Sequence, residues 1–144
     1  MKVGILILFC NNEKEIIENE LAKLFKLKSD SEICFINNGS KDNTLEALRG
    51  IKEDTKMDIS ILDIKKNKGI NAALKAGARF LFSRTDIDYI VYLKPNMLSY
   101  LKALKTQIKR NVGTDLFKKK KKCRILRDIF SIDEILNLKK SIML

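Results

Sequence analysis

Apolar positions along this chain follow two rhythms. Continuous runs at Val3 to Phe9, Ile33 to Ile36, Ile59 to Ile64 and Tyr89 to Leu93 are short, β-rich and bounded by polar turns, as in strands covered on both faces. Between them the spacing becomes helical. Ile17, Leu21 and Leu24 mark one stripe, and Leu45, Leu48 and Ile51 a second. Ile70, Ala73, Leu74, Gly77, Ala78 and Leu81 form a third, whose small residues allow close approach to a sheet. Ser40 or Asp42 is placed to cap the second helix. Past Asn96, Leu98, Leu101, Leu104 and Ile108 predict one more helix, and Ile125, Ile129, Ile132 and Leu136 recur at helical spacing again.

Four alternations of strand and helix call for parallel strands joined by right-handed crossovers. The predicted fold class is therefore α/β, a doubly wound, mostly parallel sheet in three α/β/α layers. Ligands of such sheets bind beyond the carboxyl ends of the strands, where the strand order reverses. Each predicted strand runs directly into a polar segment: Phe9 to Glu13, Asn37 to Thr44, Asn67 to Ala73, and Leu93 to Asn96. All four segments are expected to meet on that one edge.

Charge divides the chain. The formal net charge is +11, and residues 1–93 hold 15 Lys/Arg against 14 Asp/Glu, whereas residues 94–144 hold 14 against 4. An asymmetry of this kind fits a C-terminal part that meets an anionic surface, or a solvated basic tail. Cys10, Cys34 and Cys123 are odd in number and without paired spacing, which suits a reduced, cytoplasmic setting rather than a disulfide framework or a zinc knuckle. The chain has no histidine, which removes Ser-His and Cys-His nucleophilic schemes. Val3 to Cys10 is too short to span a bilayer and has no small-residue cleavage site.

Residues 1 to about 96 resemble the nucleotide-binding half of family 2 glycosyltransferases of GT-A fold. Asn11 with Glu13 follows the first strand, and a Gly39-Ser40 turn leads into Asp42-Asn43-Thr44. Asn67-Lys68-Gly69 precedes a helix carrying Ala72, Ala73 and Gly77, and Asp88 to Leu93 is the usual approach to the family's metal motif. The resemblance implies a nucleotide-diphospho-sugar ligand. A base edge, a ribose and a doubly charged diphosphate require oriented hydrogen-bond partners and a counter-charge.

The same resemblance places Asn11, Glu13, Asn37, Asn38, Lys68 and Asn71 around the nucleotide and Lys94 opposite the diphosphate. Acidic residues usually face the base and ribose where this chain has Asn37 and Asn38. An amide keeps an acceptor oxygen and adds a donor; alternatively, both asparagines shape a tight turn. Hard divalent cations are normally held by carboxylates, yet the motif positions here are Lys94, Pro95 and Asn96. No metal cofactor is therefore expected. Lys94 either neutralises the diphosphate as a point charge, or the pocket no longer performs transfer. Asp115, Asp128, Asp133 and Glu134 are the acids after Asn96, and none matches a family catalytic base.

The expected organisation is a nucleotide-sugar-binding domain over 1–114 and a basic, partly helical extension over 115–144. Lys118, Lys119, Lys120, Lys121 and Lys122, followed by an apolar stripe, fit a basic amphipathic element on anionic lipid at the inner face of a membrane. A stripe packed on the protein's own sheet explains the pattern equally well. Three functions follow: a glycosyltransferase, metal-independent if active, in polysaccharide synthesis; an inactive relative that docks on a partner transferase or a membrane; and a basic nucleic-acid-binding domain. Sparse aromatics and the absence of a known nucleic-acid-binding motif rank the last below the others.

Overall fold

The computed structural model describes residues 3–18, 21, 32–55, 58–84, 87–96 and 129–131. Strands β1 (Val3–Phe9), β2 (Glu32–Asn38), β3 (Ile59–Ile64) and β4 (Tyr89–Leu93) alternate with helices α1 (Glu13–Glu18), α2 (Thr44–Asp54) and α3 (Ile70–Arg84). A fifth strand, β5 (Ile129–Ser131), completes a parallel sheet of order β3-β2-β1-β4-β5. The order turns back between β1 and β4. Strands two and three are laid down on one side of β1, and β4 on the other.

The runs that read as strands form because both of their faces are covered. Ile5, Ile7, Ile33 and Phe35 point to the layer that holds Ile16, Leu48 and Ile51. Leu6, Leu8, Cys34 and Ile36 point to the opposite layer, against Ala73, Leu74, Ala78 and Leu81. Phe9 and Phe35 meet edge to face, with ring centroids 5.4 Å apart, a geometry favoured by the ring quadrupole. Gly77 lets α3 approach: a Cβ there would sit 2.5 Å from Ile36 Cδ1 and 2.9 Å from a Leu6 methyl. Three α/β/α layers follow.

Four details differ from the expectations. Ile16, not Ile17, turns inward on α1; Ile17 is 63% exposed, because the short helix begins at Glu13 and its single buried position lies one residue earlier. Ile70 opens α3 with 44% exposure rather than closing its apolar stripe. The cap of α2 is split: Asn43 occupies the cap position, the Asp42 carboxylate accepts from the Thr44 N–H, and Ser40 is committed elsewhere. Ile129, assigned by spacing to a helix, lies in β5, where pairing with Ile90 takes precedence over local periodicity. The expected helix from Leu98 to Ile108 and the run Lys118 to Lys122 lie outside the described residues.

Candidate functional site

The loops after β1 and β2 are bound into one unit by their own polar groups. The Asn11 N–H donates to Ser40 Oγ (3.0 Å), and the Lys41 N–H donates to Asn11 Oδ1 (2.7 Å). Asn11 itself takes a left-handed backbone with φ of 54°, a conformation that asparagine tolerates better than most residues. Beside it, the Asn12 N–H donates to Thr44 Oγ1 at 2.9 Å. Glu13 and the second loop exchange bonds: the Glu13 N–H donates to Asp42 and the Asn43 N–H donates to the Glu13 carboxylate.

This clasp governs the charge of Asp42. Desolvation opposes its ionisation, but donors from the Thr44 hydroxyl and N–H and from the Glu13 N–H outweigh that, leaving the carboxyl of this exposed residue below its ordinary 3.8. Gly39 makes the turn possible. Its φ is +64°, and a Cβ would lie 2.5 Å from the Asn67 backbone nitrogen.

Alternation along β2 sends its last two amides to opposite faces. Asn37 turns toward the β3 side, where it donates to Asp63 Oδ1 at 2.9 Å and accepts from the Ser40 hydroxyl. Asp63 also receives the Lys65 ammonium, the chief reason its carboxyl is held below 3.8 despite burial. Asn37, Asp63, Lys65 and Arg49 border a polar hollow of about 240 Å³.

Asn38 lines a different and larger space. A crevice of about 430 Å³ opens at the carboxyl ends of β1 and β4, where the strand order reverses. Leu8, Phe9, Ile70 and Pro95 supply apolar wall; Asn12, Asn38, Asn67, Asn96, Glu15 and Lys94 supply polar groups, with Cys10 and Gly69 between them. Asn38 is 5% exposed, and its Oδ1 has no hydrogen-bond partner among the described residues. A buried acceptor left open costs free energy that a ligand N–H or O–H would recover. Lys94 is exposed at the same crevice.

Of the residues expected to surround a nucleotide, the crevice brings together Asn38 and Lys94. Asn37 belongs to the neighbouring hollow. Asn11 and Glu13 are engaged in the clasp, and Lys68 and Asn71 are exposed on the turn and first residues of α3, outside the walls of both spaces. Sequence reasoning did not single out Cys10, Asn12, Glu15, Asn67 or Ile70 as wall residues. Four of them lie within or next to the polar segments, whereas Glu15 carries no signal of its own.

A divalent ion does not fit the donor set at the end of β4. Lys94, Pro95 and Asn96 offer an ammonium, an imino-acid ring and an amide there. Among the described residues, no group of three or more His, Cys, Asp or Glu is arranged to hold a metal.

The fold is a doubly wound α/β domain with a crevice at its switch point. Residues 5–94 match glycosyl transferase family 2, and the chain belongs to that family. Poly-beta-1,6-N-acetyl-D-glucosamine synthase of Staphylococcus aureus (strain COL) is 38% identical over 88 residues, which are 60% of this chain and 20% of that protein. The match thus spans about a fifth of that relative's length. The crystal structure of S. aureus TarS 1-349 superposes with a TM-score of 0.52 at 22% identity, covering 78% of this chain and 33% of that one. The same protein in complex with UDP-GlcNAc gives a TM-score of 0.50 at 22% identity, covering 78% and 32%. These two structures share the fold. No helix among the described residues is long and apolar enough to cross a membrane.

Proposed function

We propose that the chain binds a nucleotide-diphospho-sugar in the crevice between the ends of β1 and β4, and that it serves sugar transfer in polysaccharide synthesis. One observation carries this reading: the buried, unpartnered acceptor of Asn38 and the Lys94 ammonium line the same crevice, at the topological switch point of a family 2 fold. A nucleotide base supplies the N–H donor that Asn38 lacks. The diphosphate supplies the negative charge that Lys94 would neutralise, in the place where relatives of the family use a metal. The poly-beta-1,6-N-acetyl-D-glucosamine synthase relatives and the UDP-GlcNAc complex of TarS support a UDP-sugar as the first ligand to try.

On this reading Asn11 and Glu13 act through the clasp that holds the β1 and β2 loops, while Lys68 and Asn71 sit on the approach to the crevice. Transfer chemistry would need a base from a segment beyond Asn96. Calorimetric titration with UDP- and GDP-sugars, each with and without Mn²⁺, tests the proposal. Binding of equal strength with and without the ion is expected, and Lys94→Ala should weaken it about 10- to 100-fold, the loss of a charge-assisted contact. Absence of heat with every nucleotide would overturn the proposal in favour of an interaction module. Retention on nucleic acid that falls steeply with salt would favour the basic-domain alternative.

A further inference from the structure

The geometry points to Cys10 as a thiol-modification site that closes the crevice: a small-molecule disulfide converts it to a mixed disulfide and thereby blocks ligand entry. Cys10 is the first residue after β1, at the switch point, and it is exposed, whereas Cys34 is buried in the sheet. Its sulfur is held at the crevice wall by two side-chain amides. Asn67 Nδ2 donates to Sγ at 3.6 Å and Asn11 Nδ2 at 3.8 Å. Asn67 comes from the loop before α3, which also contributes Gly69 to the wall beside Ile70, the first residue of the helix.

A second observation ties this sulfur to a ligand space rather than to bare surface. Asn38, 5% exposed, stands in the same crevice wall with an acceptor oxygen that no donor among the described residues reaches. A group attached to Cys10 would enter the same crevice that Asn38 lines. It would also displace the Asn67 amide from the sulfur.

The small-molecule disulfide is itself the oxidant, Cys10 being oxidised to the mixed disulfide while one half of the reagent is reduced. The Cys10 thiolate attacks one sulfur of the disulfide, a new S–S bond forms, the old one breaks, and the second half leaves as a thiolate that takes up the proton Cys10 gave to water on ionising. A reducing thiol reverses the step.

The consequence for binding rests on the nucleotide-sugar reading; the site of modification does not. The test uses the full chain carrying Cys123→Ser, treated with oxidised glutathione. Peptide mapping should find glutathione on Cys10 and not on Cys34, UDP should slow its addition, and UDP affinity should fall by about tenfold or more and return on addition of dithiothreitol. An unmodified Cys10, or a glutathionylated Cys10 with unchanged UDP affinity, would overturn the inference. Failure of the untreated, reduced chain to bind UDP would instead count against the proposed function, and the labelling pattern would still decide whether Cys10 is the reactive thiol.

Discussion

Asn37 and Asn38 are neighbours of the same chemistry, equally buried, with opposite fates. Asn37 has a partner at each end of its amide: it donates to Asp63 and accepts from Ser40, which in turn accepts from the Asn11 N–H. Asn38, one residue on and facing the other layer, lines the larger crevice and leaves its buried oxygen without a partner among the described residues. The contrast extends to their surroundings. The β2–β3 side is a set of polar groups that satisfy one another, which makes it scaffold. The β1–β4 side holds one buried polar atom, Asn38 Oδ1, that no described residue partners, which is why the proposed ligand is placed there. Residue type alone does not separate the two; partners do.

The harshest way to break the contrast is to remove what supports both sides. Phe35 is fully buried against Phe9, and Phe35→Ala should cost about 3–5 kcal/mol of stability, read as a lower urea midpoint with the slope unchanged. Loss of that size would affect the scaffold and the crevice together. A narrower break is Thr44→Val. Thr44 is fully buried, accepts from the Asn12 N–H and donates to Asp42, so the substitution should cost about 2 kcal/mol by stranding buried groups. If the clasp is only scaffold, UDP affinity at saturating stability should change little.

The two asparagines themselves sharpen the comparison most directly. Asn37→Leu should lower stability by about 1–2 kcal/mol, since it strands Ser40 and removes a donor from Asp63, whereas Asn38→Leu should be neutral or stabilising because it removes an unpaired acceptor. Nucleotide titration should then reverse the order: the stable Asn38→Leu protein loses binding and the weakened Asn37→Leu protein keeps it. Equal destabilisation by both would erase the distinction between scaffold and site.

The smallest effect is expected from acid. Asp42 and Asp63 both have carboxyls lowered in the fold from an ordinary 3.8, so their contribution is fully present above that value and is lost as pH falls through the lower, folded one. Thermal midpoints recorded down through this range should drop on the acid side, and Asp42→Asn should flatten part of that decline. Because neither group is deeply buried, solvent screening keeps the effect modest.

Much of the scaffold is legible in the chain without coordinates. Three of the four expected strands have the bounds read from their apolar runs, and β2 extends to Glu32 and Asn38. Buried parallel strands announce themselves because both faces must be apolar. Helix faces were harder. A shift of one residue in the start of α1 exchanged Ile16 for Ile17, since a helix face rotates about 100° per residue. β5 was not legible at all: three residues carry too little periodicity, and their strand pairing with β4 is made across a long sequence separation.

Candidate chemistry divides in the same way. That polar segments would gather at the carboxyl edge followed from alternating β and α elements, and Lys94 where carboxylates are usual was visible as plain sequence. Which amides would be consumed by the clasp and which would stand open was decided only in three dimensions. Hydrogen bonding is pairwise and long-range along the chain, as between Asn11 and Ser40. A residue's own identity states what it can donate or accept, and only the fold determines whether a partner is already there.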